Sequence, residues 1–134
     1  MPHEITYYKD NNYFSCYLYG TVDKEGAIAF GEDAITNAVK YPQCKLFLVN
    51  LRDVTVSMST PEIYDFPRQL EKMVAERGLT GPGYKRALVI KAGFDDWRFL
   101  EIMTRYGGET LKIFNDTTLA KQWLFQHRRP GDDD

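Results

Sequence analysis

Histidine and cysteine are nearly absent from this chain, two of each in 134 residues. His3 and His127 stand at opposite ends, and neither Cys16 nor Cys44 lies in a CxxC or Cys/His pattern. A metal site, a disulfide scaffold or a Ser-His-Asp arrangement therefore has nothing to draw on, and no metal, cofactor or catalytic residue is expected. No run of about 18 apolar residues occurs, as a membrane-spanning helix requires. The opening MPHEITYYKD also lacks the apolar stretch of a signal peptide. These absences predict a cytoplasmic, soluble protein without membrane insertion, with both thiols reduced and packed as small apolar groups.

Charge of one sign is equally scarce. Seventeen Lys and Arg face nineteen Asp and Glu, and three of those acids are the terminal Asp132, Asp133 and Asp134. The rest of the chain is close to neutral, with its basic residues interspersed among acids. A nucleic-acid partner needs Lys and Arg gathered on one face, so none is expected. His127-Arg128-Arg129 is the one basic cluster, and residues 127–134 read as a flexible charged tail. With 43% apolar and 14% aromatic residues, the chain has the length and composition of one domain with a real core, spanning 1–134.

What is present is an alternation of strand-like and helix-like patterns. Residues 5–8 and 13–19 are rich in β-branched and aromatic side chains around a polar turn, which predicts a hairpin. From 23 to 40 the apolar positions Ala27, Ile28, Ala34, Ile35, Ala38 and Val39 recur at helical spacing, with Asp23 as cap and Pro42 just beyond. Residues 46–51 and 86–90 are short apolar runs of the kind shown by strands buried on both faces. Between them Ile63, Phe66, Leu70, Met73 and Val74 keep helical spacing around Pro67, which leaves open one kinked helix or a turn and a helix capped by Asp65.

Asp95 or Asp96 caps a third helix that Gly107-Gly108 ends. A last strand over 111–114 and a helix capped by Asp116 complete the order β-β-α-β-α-β-α-β-α. That order predicts an α/β fold with a mostly parallel five-stranded sheet, helices on its faces and the first strand antiparallel. Ligands and partners of such sheets meet the loops after the strands, here 52–59, 91–96 and 115–117.

Two of these loops carry the candidate residues. Arg52, Asp53 and Ser57 follow the third strand, and Phe94, Asp95, Asp96, Trp97 and Arg98 put aromatics and charges on the same edge. Such a mixture suits a protein partner or an apolar ligand, since Trp and Arg dominate interface energetics. The alternatives are an ion pair or turn for Arg52 and Asp53, core packing for Phe94 and capping for an aspartate. Ser59 and Thr60 stand where a helix begins. A phosphate there would meet free amides and the positive end of the helix dipole. The other reading is structural: Ser59 and Glu62 form a capping box with Pro61 in the first turn. The glycine-rich stretch 78–85 lacks the Gly-Lys-Ser/Thr ending of a phosphate loop and precedes a strand.

Three segments, LFLVNLRDVT, RALVIKAGFDDWRF and GGETLKIFNDTTLAKQWL, together with the element order, give the chain a resemblance to the SpoIIAA-like group of bacterial proteins over residues 4–125. Their fold is shared with STAS domains and with lipid-binding domains of the Sec14 type. The resemblance implies a non-enzymatic protein-interaction or regulatory module, with an unidentified protein partner and a homodimer as candidate assemblies. Its lipid-binding branch implies an alternative, a carrier of a lipid or other small apolar ligand. In anti-sigma factor antagonists of the STAS group an Asp-Ser-Ser-Gly segment carries the phosphorylated serine. The matching positions here are Met58-Ser59-Thr60-Pro61, so the resemblance implies phosphorylation at Thr60 or its neighbour Ser59, while Met58 and Pro61 depart from the pattern.

Overall fold

Asn11 and Asn12 turn the chain with φ of 64° and 50°, the left-handed region that asparagine tolerates better than most residues. They join β1 (His3–Tyr8) to β2 (Tyr13–Val22), which pair antiparallel from His3↔Leu18 to Tyr8↔Tyr13. In this computed structural model, which describes residues 3–79, 84–94, 96–107 and 110–126, seven further elements follow. They are α1 (Lys24–Lys40), β3 (Leu46–Val56), α2 (Thr60–Glu76), β4 (Lys85–Val89), α3 (Trp97–Gly107), β5 (Leu111–Phe114) and α4 (Thr117–Phe125). The strands lie in the order β1-β2-β3-β4-β5, and every pairing after the first is parallel. This is the α/β architecture the periodicities predict. Asp95, Gly108 and the tail at 127–134 lie outside the described residues.

Local chemistry places the helix starts. Asp23 accepts from the Gly26 amide at 2.8 Å, Asp116 from Leu119 at 3.0 Å and Asp96 from Phe99 at 3.2 Å. α2 is one helix rather than a turn and a helix. Asp65 accepts from the Gln69 side chain at 2.6 Å instead of capping. Pro67 leaves the Ile63 carbonyl without its usual donor, but both residues lie on the buried face, where packing holds the helix together. α1 and α2 approach closely at Gly31, where a Cβ would come within 2.6 Å of Leu70 Cδ2.

β3 runs five residues beyond the predicted end at Leu51. Its pairing with β2 shifts from Tyr17↔Asn50 to Tyr19↔Asp53, so Leu51 and Arg52 together oppose Leu18 in a β-bulge. The Asn50 side chain satisfies the displaced Arg52 amide at 3.0 Å. The bulge reverses the inward parity, so that Phe47, Val49 and Leu51 share a face with Val54 and Val56.

Two cores result. On one face α1, α2 and α3 cover Phe14, Cys16, Leu18, Phe47, Val49 and Leu88. On the other, α4 alone covers Leu46, Leu48, Ala87 and Val89 with Ala120 and Leu124. Lys85 is buried beneath α4. Its ammonium donates to the Trp123 and Leu124 carbonyls and stands 4.2 Å from the Trp123 ring centroid. Burial pushes the Lys85 pKa down, while the carbonyls at the negative end of α4 favour its charged form.

Candidate functional site

The edge where β3 enters α2 is built from the Ser57 amide outward. That amide donates to the Val22 carbonyl at 2.8 Å, which ends β3 beside the last residue of β2. Met58 then turns inward and is buried. Ser59 and Glu62 close the capping box: Glu62 Oε1 accepts from the Ser59 amide at 2.8 Å, and Ser59 Oγ accepts from the Glu62 amide at 3.3 Å. The Ser59 hydroxyl is thus already engaged.

Thr60 is exposed, and its Oγ1 accepts from Arg98 Nη1 at 2.9 Å. Arg98 Nη2 also donates to the Met58 carbonyl at 3.3 Å and pairs with Asp96 at 3.3 Å. One guanidinium therefore ties the start of α2 to the start of α3, with Asp96 holding it by charge while capping α3. Trp97 stands beside this clamp with 64% of its surface exposed. Phe94 points the other way and packs on Phe99 at 5.8 Å between centroids.

Arg52 and Asp53 are not part of this cluster. They lie within β3, at and just after the bulge, rather than in a loop. Arg52 Nε donates to Asn50 Oδ1 at 3.3 Å, and Asp53 accepts from the Tyr17 hydroxyl at 2.6 Å. Among the described residues no ion pair joins the two to each other, and no hydrogen bond joins them to 57–60 or 96–98.

Behind the clamp lies a cavity of about 600 Å³ between the sheet and α1–α3. Its walls are almost wholly apolar: Leu18, Val49 and Leu88 from the sheet, Phe30 and Ala34 from α1, Phe66 and Leu70 from α2, Phe99 and Met103 from α3. Met58 and Phe94, from the two loops of the edge, also line it. Two polar residues stand on its sheet side, Tyr84 and Arg86. Neither is among the candidate residues that the sequence pattern points to. The signal was an arginine with the same parity as the inward Leu88 inside an otherwise apolar run. Among the described residues no group of three His, Cys, Asp or Glu could hold a metal ion, and no helix is long and apolar enough to cross a membrane.

No protein-family model and no curated protein sequence matches the chain. Solved structures do. SpoIIAA, the Bacillus cell fate determinant, in its phosphorylated form superposes with a TM-score of 0.50 at 9% identity, over 91% of this chain and 99% of that one. An uncharacterised protein of the DUF3478 family from Shewanella loihica PV-4, described as having a SpoIIAA-like fold, gives 0.53 at 17% identity, over 92% of each chain. The chain has a SpoIIAA-like fold.

Proposed function

We propose that this protein is a non-enzymatic binding module that holds a small apolar molecule between its sheet and α1–α3, and presents the Met58–Thr60 and Asp96–Arg98 edge to a protein partner. The cavity of about 600 Å³ carries this reading. Pockets that hold small molecules span about 300 to 1,000 Å³ and are mostly apolar, with few polar groups. Each methylene moved from water into such a space adds about 0.8 kcal/mol, so a chain of eight supplies several kcal/mol without any polar contact. Native mass spectrometry of protein taken directly from cells tests it. A small co-purifying mass that disappears in Leu70→Trp supports the reading, and a bare chain in both sinks it.

The clamp favours a second, regulatory element. A phosphate on Thr60 would stand at the N-terminus of α2 beside Arg98, already 2.9 Å from its Oγ1. Ser59 is the weaker acceptor, because modifying it breaks the capping box. A SpoIIAA of this fold is known in a phosphorylated form. Phosphopeptide mapping of protein from its native cells is expected to find Thr60 modified and Ser59 unmodified. The partner reading is tested by sedimentation and cross-linking of Trp97→Ala. A homodimer through this edge requires a concentration-dependent mass in the native chain that the variant loses.

A further inference from the structure

One charged residue interrupts the apolar floor of the cavity. At one level across the sheet the residues facing α1–α3 are Phe14, Phe47, Arg86 and Leu111, and at the next they are Cys16, Val49, Leu88 and Ile113. Seven of these eight positions are apolar or thiol side chains, as a sheet face under three helices requires. Arg86 is the eighth, and burial pushes its pKa down, as expected of a charge that has lost water. Its Nη2 donates to Thr110 Oγ1 at 3.0 Å, which holds the guanidinium at the β5 side of the cavity floor.

Tyr84 precedes Arg86 by two residues and packs on Phe47 at 6.1 Å between centroids. Its hydroxyl is buried and has no hydrogen-bond partner among the described residues. A buried hydroxyl in that state is penalised unless something else fills the role. A hydroxyl and a guanidinium at one side of an apolar cavity are complementary to a compact anion that carries an apolar chain.

Resting on the reading of the cavity as a ligand site, we propose that the ligand is a single-chain amphiphile with a carboxylate head. The carboxylate lies against Arg86 and Tyr84, and the chain lies beneath Phe66, Leu70 and Phe99. The guanidinium supplies charge and directed donors, and the tyrosine hydroxyl donates the further hydrogen bond it lacks. Glu71, the acidic residue of the lining, is exposed and stays hydrated, so a cationic head finds no desolvated counter-charge.

Calorimetric titration of the full chain with decanoate and with 1-decanol separates the head from the chain. Decanoate is expected to bind about tenfold more tightly than decanol, the margin of a charge-assisted hydrogen bond. Arg86→Met should bring decanoate down to the level of decanol and leave decanol unchanged. Tyr84→Phe should weaken decanoate alone, by a few-fold. Equal affinities in the native chain overturn the carboxylate assignment while the cavity reading stands. Binding of neither compound overturns both. The native-chain comparison decides the matter even where Arg86→Met fails to fold.

Discussion

The two faces of the sheet use the same strands and reach opposite results. On the α4 face Leu46, Leu48, Val89 and Leu124 close around Ala87 and Ala120, both fully buried, and the two alanines let the helix sit close to the sheet. On the α1–α3 face, three helices over the same strands leave about 600 Å³ between themselves and the floor. Protein interiors are packed about as densely as organic crystals, and a lining atom beside a void loses its dispersion partners. The hollow face therefore contributes less stability per residue than its apolar composition suggests. The ligand proposed for this space would restore those contacts. The candidate edge borders the hollow face, since Met58 and Phe94 belong both to the loops and to the lining.

Truncation should break the symmetry most. Leu124→Ala removes a side chain with 1% exposure from the filled face and should lower stability by about 2 to 5 kcal/mol. Leu70→Ala, on the cavity wall, should cost about 1 kcal/mol, because the methyls removed there have fewer neighbours to lose. Urea unfolding at constant m-value compares them. Equal losses at the two sites would mean that the hollow face is as well packed as the filled one.

Enlargement should reverse the order with a smaller amplitude. Ala120→Leu has no room under α4 and is expected to cost about 1 to 3 kcal/mol. Ala34→Leu extends into the cavity and should be neutral or stabilising by up to about 1 kcal/mol. The same variant should lower decanoate affinity, which ties the empty volume to binding rather than to loose packing alone. A destabilising Ala34→Leu with unchanged ligand affinity would remove that connection.

The filled face was readable from sequence because its signals are local. The runs at 46–51 and 86–90 and the cap at Asp116 each lie within a few residues of what they determine, and the caps at Asp23 and Ser59–Glu62 mark the helix starts of the other face just as locally. The hollow face depends on relations that sequence spacing does not carry. The bulge at Leu51 and Arg52 reverses inward parity, so alternation fails as a guide beyond Leu51, where the apolar run predicts the strand's end. Arg98 reaches Thr60 across 38 residues, and α1 meets α2 closely at Gly31 and Leu70, a contact comparably distant in sequence. Proximity in sequence groups Arg52 and Asp53 with that edge, while the fold keeps both within β3, with Asp53 accepting from Tyr17.

That last pair gives the smallest test, on the part of the α4 side of the sheet where Tyr17, Tyr19 and Asp53 lie. Tyr17 stacks on Tyr19 at 5.2 Å between centroids, and its hydroxyl donates to Asp53 at 2.6 Å. The hydrogen bond to the carboxylate, reinforced by desolvation, raises the Tyr17 pKa above its ordinary value of 10.0. The folded state holds this proton where the unfolded chain has released it. The contribution is fully present below about pH 10 and is lost as pH rises through the folded pKa. At so exposed a site water screens it strongly, and the change should be slight. Comparing urea midpoints of the native chain and Tyr17→Phe from about pH 9 to about pH 11 isolates the contribution, since other titrating groups cancel. The advantage of the native chain should shrink as pH rises, whereas an advantage that is constant with pH would assign it to ring stacking and remove Asp53 from the account.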